Sequence, residues 1–165
     1  MTIAEIFTHL QQAFPDAGLT LEEVHPESVF IVPANHLIEV SMRLRDDPEL
    51  LFDCLMCLSG LETEDQLQTV YHLYSMKHDH KCTLKCGAPK DDPVMPTVSH
   101  IWATADWHER ESFDLVGVHY DGHPDPRRIL CPDDWEGHPL QKDYVPQTSW
   151  HGIPLTVMMP EGDKS

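Results

Sequence analysis

The spacing of apolar residues in the first part of the chain predicts two amphipathic helices. Thr2 and Glu5 have capping-box spacing, and a helical pattern follows that proline and glycine end within residues 15–18. A second repeat covers residues 37–44 and stops at an Asp-Asp-Pro sequence at residues 46–48. Each helix is expected to bury one face. The residues on these faces are Ile3, Ile6, Phe7, Leu10 and Phe14, then Leu37, Val40, Ser41 and Leu44.

Segments with alternating apolar and polar positions, or rich in β-branched and aromatic residues, predict strands. The first two of these segments flank a turn at His25 and Pro26, and the last two flank a polar hairpin turn. Residues 49–58 are mostly apolar, and we expect a short helix there that passes into a strand. The expected strands are residues 19–24, 28–32, 67–76 and 80–87.

A third helix is predicted at residues 103–116, after a proline-rich loop, with Gly117 as its C-cap. Residues 118–165 hold seven of the 14 prolines and lack helical periodicity. They also carry bulky apolar residues, which are typical of an extended arm that lies on a surface. We therefore divide the chain into a core domain, residues 1–117, and a C-terminal arm, residues 118–165. The bulky residues are Ile129, Leu130, Trp135, Leu140, Tyr144 and Trp150.

Composition narrows the possible partners. The chain has 165 residues, enough for one domain with a hydrophobic core, and its 11 basic and 28 acidic residues give a net charge of −17. This balance argues against nucleic acid and against direct docking on anionic lipid. No apolar run approaches the roughly 20 residues of a membrane helix, so direct membrane insertion is not expected. The five cysteines, without a visible export signal, are interpreted as reduced thiols in a cytosolic compartment.

The sequence DWHERESFDLVG, residues 106–117, concentrates charge on the third helix. Asp106 and Asp114 each lie four residues from Arg110, so we predict that Arg110 sits between them. Asp106 and Glu109 also have the spacing of an N-cap and the third helical residue. Glu109 and Glu111 are two residues apart and point in different directions, which disfavours paired-carboxylate catalysis.

A structural clamp explains these charges better than catalysis does. We predict that Glu109, Arg110, Glu111 and Asp114 tie the helix to the arm, which carries basic residues among bulky anchors. Planar guanidinium groups suit two-pronged contacts with carboxylates. The basic residues that we expect to take part are Arg127, Arg128 and Lys142.

Two sets of residues raise the alternative of a metal site. Cys82 and Cys86 would lie about 13 Å apart on a strand, too far to share an ion, and Cys54 and Cys57 lie in an apolar run, so we expect all four to pack as small apolar residues. A metal hydrolase site built from three arm residues is conceivable, although one of its histidines precedes Pro124 and no HExxH motif occurs. The three residues are His119, Asp121 and His123.

Residues 107–144, WHERESFDLVGVHYDGHPDPRRILCPDDWEGHPLQKDY, closely resemble the signature of the 30-kilodalton-type subunit (the C subunit) of proton-pumping NADH:quinone oxidoreductase, respiratory complex I. The upstream sequences LRDDPELLFDCL and VYHLYSM are also similar to that family. The resemblance assigns a structural or interface role to the signature residues. They are Trp107, Glu109, Arg110, Glu111, Asp114, Gly117, His123, Pro124, Arg127, Arg128, Trp135, Gly137, Pro139, Lys142, Asp143 and Tyr144.

The resemblance implies an α+β fold, with N-terminal helices packed on a small mixed, largely antiparallel sheet and a proline-rich extended C-terminal arm. It implies a non-catalytic assembly subunit of the peripheral arm, beside subunits D and B, at the cytoplasmic face of the bacterial inner membrane. Flavin mononucleotide, iron–sulfur clusters and quinone would be held by partner subunits, and this chain would carry no cofactor. Related alternatives are the equivalent subunit of the photosynthetic ferredoxin-dependent complex or of a membrane-bound hydrogenase; a free-standing metal hydrolase is the third.

Overall fold

A computed structural model describes residues 1–24 and 27–155 of the chain, so the predicted turn at His25 and Pro26 lies outside the described residues. The helices are α1, Ile3–Ala13; α2, Leu37–Asp46, which follows a 3-10 turn at Ala34–His36; and α3, Ala105–Val116. The strands are β1, Thr20–Val24; β2, Glu27–Ile31; β3, Cys54–Glu62; β4, Gln66–Ser75; β5, His80–Pro89; β6, Val94–Pro96; β7, His119–Asp121; β8, Ser149–Trp150; and β9, Ile153–Pro154.

The main sheet has five strands in the order β1-β2-β5-β4-β3. Its β2–β5 pair is parallel and its other pairs are antiparallel. Strands β6 and β7 form a separate parallel pair, and β8 and β9 form a short antiparallel one. The predicted α+β class with a mixed, largely antiparallel sheet is therefore confirmed.

One face of the main sheet carries the core. Alternate residues of β4 are buried, as its period of two predicted, and Phe7 of α1 stacks on Phe30 of β2 at 5.6 Å between ring centroids. Helix α3 approaches β3 so closely that a Cβ atom at Gly60 would overlap the side chain of Ser112. Residues of all three helices join the same core cluster, which fixes α3 as a rigid support for whatever packs on its outer side.

The predicted capping box of α1 is confirmed by its two reciprocal hydrogen bonds. The predicted short helix within residues 49–58 is wrong, because the chain turns there before β3 begins at Cys54. The amides of Leu50 and Leu51 both donate to the carbonyl of Asp47, and Leu51 then takes a φ of 43°, which does not continue a helix. Leu50 and Phe52 are fully buried, so the apolar run reflects a buried turn.

The core continues beyond the C-cap of α3. Val118 and Tyr120 are buried members of the core cluster, and β7 pairs with β6. The hydroxyl of Tyr120 donates to Ser112 at 3.0 Å and shares a 2.8 Å hydrogen bond with Thr69 of β4. Among the described residues, no helix is long and apolar enough to cross a membrane.

Candidate functional site

The signature segment, residues 107–144, covers most of α3 and the part of the arm that returns over the C-terminal half of this helix. Gly117 ends α3 with a φ of 89°, and a Cβ atom there would lie 2.8 Å from the His138 ring, so both conformation and space favour glycine. The predicted N-cap role of Asp106 is wrong. The helix begins at Ala105 and its N-cap position is Thr104, which places Asp106 inside the first turn.

Asp114 is the main anchor of the arm. One of its carboxylate oxygens accepts the amides of Ile129, Leu130 and Cys131 at 2.6–3.0 Å, and the other accepts Arg128 Nη1 at 2.8 Å. Burial raises the pKa of the Asp114 carboxyl, but these four donors outweigh burial and leave its pKa below the ordinary value. The carboxylate is thus ionised, fully buried and compensated, as a structural anchor requires.

The predicted position of Arg110 between two carboxylates of its own helix is wrong. Its Nη1 lies 3.4 Å from Asp125 in the arm, and its other nitrogens donate to the carbonyls of Arg127 and Arg128 at 3.1 and 3.3 Å. Asp114 already has four donors, so Arg110 turns outward to the arm. Its guanidinium carbon also lies 5.2 Å from the ring centroid of Trp107.

The last carbonyls of α3, which lack partners within a helix, are satisfied by the arm. His138 Nδ1 donates to the Asp114 carbonyl at 3.0 Å, the amide of Leu140 donates to Leu115 at 2.8 Å, and Gln141 donates to Val116 at 2.9 Å. Arg128 extends this junction by donating to the carbonyl of Gly137 at 2.9 Å. The arm therefore docks through backbone groups as much as through side chains.

Several residues of the predicted clamp make other contacts or none. Glu109 is fully buried and faces Thr97 and Val98 rather than the arm's cations. Glu111 is exposed and, within the described ranges, has no hydrogen bond or ion pair. The exposed Arg127 pairs with Asp125, its neighbour in the arm. Lys142 contacts Glu62 of β3 through its backbone amide, at 2.6 Å.

The remaining signature residues lie along the arm or on the surface. Trp135 donates to the hydroxyl of Tyr144 at 3.1 Å, and the Tyr144 ring packs against Gly137, whose φ is 75°. Trp107 is 61% exposed. Pro124 and Asp143 are also exposed, and Pro139 is half-buried.

Glu109 marks a second, electrostatically different site on α3. Its carboxylate accepts hydrogen bonds from the Thr97 hydroxyl and from the Val98 amide, the latter at 2.7 Å. Burial raises the pKa of Glu109 to about 7; the hydrogen bonds oppose this rise, and Asp106 adds to it. His123 Nε2 lies 3.8 Å away and is itself 3.1 Å from the carbonyl of Asp106. Thr97 and Val98 precede the signature in the chain, and no sequence signal identified them.

A cavity of about 470 Å³ opens between α3, the β6–β7 pair and the start of the arm. The three residues of the alternative hydrolase hypothesis line it, but their ligand atoms do not gather within 4.8 Å of one another, so they do not form the triad of that alternative. His123 Nδ1 instead accepts the amide of Asp125 at 3.0 Å. The lining residues are Val94, Glu109, Arg110, Phe113, His119, Tyr120, Asp121, His123 and Pro126.

Another group with ligand-like spacing is His9, Asp47 and Glu49, but Asp47 already accepts Arg43 and His9, each at 2.7 Å. The ion pair between Asp47 and Arg43 explains why these side chains lie together.

The five cysteines are free thiols. Cys82 and Cys86 are buried in the core cluster, as predicted, and burial raises the pKa of the Cys86 thiol to about 12. Cys54 and Cys57 are half-buried on β3.

Comparisons with known proteins agree with the signature. Residues 30–149 match the family model of the respiratory-chain NADH dehydrogenase 30 Kd subunit. The C subunit of NADH-quinone oxidoreductase from Roseiflexus castenholzii is 40% identical, covering 79% of this chain and 77% of that relative. The same subunit from Chloroherpeton thalassium is 50% identical, covering 59% and 41%, and that from Saccharopolyspora erythraea is 45% identical, covering 80% and 57%. The chain thus spans about half the length of the latter two.

Two solved structures share the fold. A trypsin-resistant fragment of Nqo5 has a TM-score of 0.62 at 22% identity, covering 76% of this chain and 99% of that one. A chain of an archaeal membrane-bound sulfane sulfur reductase has a TM-score of 0.66 at 22% identity, covering 79% and 77%. With the family match over most of its length, the chain belongs to the family of the 30 Kd subunit of respiratory-chain NADH dehydrogenase.

Proposed function

We propose that this chain is a structural and assembly subunit, of the 30-kilodalton type, in the peripheral arm of a proton-translocating NADH:quinone oxidoreductase. The observation that carries the proposal is the family match over residues 30–149, which includes α3 and the arm docked on it. The contacts of Asp114 with the arm support a structural role, because its carboxylate is paired with groups of the same chain and is not directed at a substrate.

The proposal assigns electron transfer to other subunits. Flavin mononucleotide, iron–sulfur clusters and quinone are held by those partners, and this chain has no active site of its own. It lies at the cytoplasmic face of the bacterial inner membrane, attached through the complex, and its neighbours include subunits D and B.

Affinity purification of the tagged full chain from its host in mild detergent tests this assignment. We expect a flavin-containing, NADH-binding subunit and subunits D and B to co-purify, with NADH:quinone activity. Recovery with a hydrogenase or a ferredoxin-dependent module would assign the chain to a related complex. Recovery alone, with stoichiometric bound metal, would favour the hydrolase and contradict the proposal.

Variants separate an assembly role from a catalytic one. Asp114→Asn should lower the amount of complex on a native gel while the activity per assembled complex stays near normal. Glu111→Gln, an exposed substitution on the same helix, is the matched control and should assemble normally. Full assembly with abolished turnover in Asp114→Asn would indicate catalysis instead.

A further inference from the structure

The cavity beside α3 contains a buried carboxylate that has no lysine or arginine partner among the described residues. Glu109 lines the cavity, and its hydrogen-bond donors are the neutral Thr97 and Val98 groups. His123 donates from Nε2, because its Nδ1 accepts the amide of Asp125, and Nε2 lies closer to Asp106 than to Glu109. A buried carboxylate usually has a cation nearby, and one without it marks a candidate functional site.

Arg110 lines the same cavity but does not compensate Glu109. Its side chain is 12% exposed and is held by Asp125 and by the carbonyls of Arg127 and Arg128. Arg110 shares Asp125 with Arg127 and donates to two backbone carbonyls, so its donors are occupied in the arm and not at Glu109. Asp121 is exposed in the lining of the cavity and supplies a carboxylate there, and Glu109 is a second acidic group, in a chain with a net charge of −17.

The walls of the cavity are aromatic and apolar. The rings of Phe113 and His119 lie 5.2 Å apart at 59° to each other, and Tyr120 completes this side. Val94 is 43% exposed at the rim, where Pro126 is exposed as well. A cavity that combines aromatic walls with the exposed carboxylate of Asp121 suits a planar organic cation, because a guanidinium stacks on rings and binds carboxylates.

We propose that this cavity receives an arginine side chain from a neighbouring protein chain of the complex. The guanidinium stacks on Phe113 and His119 and pairs with Asp121. Glu109 has no water-exposed surface, so its ionised form attracts the guest through its field across a short, poorly screened distance. The exposed apolar rim favours a protein partner, because a flat surface around the arginine would bury Val94 and Pro126 in the way that contacts around an interface anchor do.

The chemistry can be tested on the full chain with N-acetyl-arginine amide as the probe and N-acetyl-citrulline amide as its uncharged isostere. Nuclear magnetic resonance should show saturable shifts at Val94 and Phe113 with the arginine probe. The citrulline probe should bind at least about tenfold more weakly, because it cannot form a charge-assisted hydrogen bond and one such bond corresponds to about this factor in affinity. Equal binding of both probes, or no saturable shift at the cavity, would overturn the proposal.

Three variants localise the charge. Glu109→Gln and Asp121→Asn should each weaken the arginine probe several-fold, while Glu111→Gln, which removes an exposed carboxylate elsewhere on α3, should leave its affinity unchanged. Asp121→Asn keeps the test valid if Glu109→Gln folds poorly, because Asp121 is exposed. An equal loss of affinity in Glu111→Gln would mean unspecific attraction to an acidic surface and would contradict the site.

The source of the arginine is tested in the assembled complex, and this step rests on the proposed function. A photo-crosslinking phenylalanine derivative replaces Val94, with the same replacement at Met76, 67% exposed in the β4–β5 turn, as the control. We expect the Val94 adduct to map to a neighbouring subunit within a few residues of an arginine. A normally assembled complex without that adduct overturns the protein source, whereas a chain that does not co-purify with the complex contradicts the proposed function and leaves the probe result standing.

Discussion

Asp114 and Glu109 lie on the same helix, five residues apart, and both are fully buried, yet their environments are opposite. Asp114 accepts three amides and a guanidinium, and its pKa is lowered. Glu109 accepts hydrogen bonds from one hydroxyl and one amide, pairs with no lysine or arginine in the part of the chain that the structure describes, and has a pKa raised to about 7. The difference shows that burial alone does not set the charge of a carboxylate; the number and charge of its donors do.

The largest expected effect is at the compensated carboxylate. Asp114→Asn leaves Arg128 and three amides without an ionised acceptor, and orphaning one partner of such a buried pair typically costs about 3–5 kcal/mol. We expect this loss in urea unfolding, together with faster hydrogen exchange at the amides of residues 129–131. Glu111→Gln is the control. Unchanged exchange at these amides would contradict the anchor.

The uncompensated carboxylate should reveal itself through pH. The folded pKa of Glu109, about 7, lies above its ordinary value of 4.5, so the folded state keeps a proton that the unfolded state has lost. Stability should therefore fall as pH rises from about 4.5 to about 7 and level off above, by about 3 kcal/mol in total.

Comparison with Glu109→Gln isolates this contribution, because the amide does not titrate. The variant should gain stability relative to the wild-type protein between pH 5 and pH 8 in urea unfolding curves, and Glu111→Gln should not. Parallel pH profiles of the wild-type protein and Glu109→Gln would show that Glu109 ionises with an ordinary pKa.

Adjacent arginines of the arm should differ in their effects. Arg128 reaches Asp114 and the carbonyl of Gly137, so Arg128→Ala should cost about 1.5–3 kcal/mol, as hydrogen bonds to charged groups do. Arg127 is exposed and pairs within the arm, so Arg127→Ala should leave the urea midpoint unchanged. Equal losses in both variants would favour the sequence-based expectation that both side chains clamp the helix.

The smallest effect expected is the coupling between the two carboxylates. They share no hydrogen-bond partner, and the helix rise separates them by about 7.5 Å along the axis. The losses in the double variant Glu109→Gln/Asp114→Asn should add to within about 0.5 kcal/mol. A larger interaction energy would mean that the cavity and the arm junction act as one unit.

Local patterns in the sequence were sufficient for most of the fold. The capping box at Thr2, the hairpin between β4 and β5 and the C-cap at Gly117 were predicted because neighbouring residues decide them. The buried turn at Leu50 was predicted as a helix. A short apolar run indicates that a segment is buried, but it does not show whether the segment is helical. The signature block was likewise readable from the sequence, and the family match confirmed it.

The partners of the charges were decided by tertiary structure. The sequence by itself determined that α3 carries Glu109, Arg110 and Asp114 and that an arm with two adjacent arginines follows. Spacing along the helix favoured an internal pairing of Arg110, but the folded arm brings backbone amides to Asp114, and these donors have no sequence signature. Only the fold places Thr97 and Val98 beside Glu109 and, among the described residues, turns Arg110 to the arm instead, because such contacts depend on segments that meet in space.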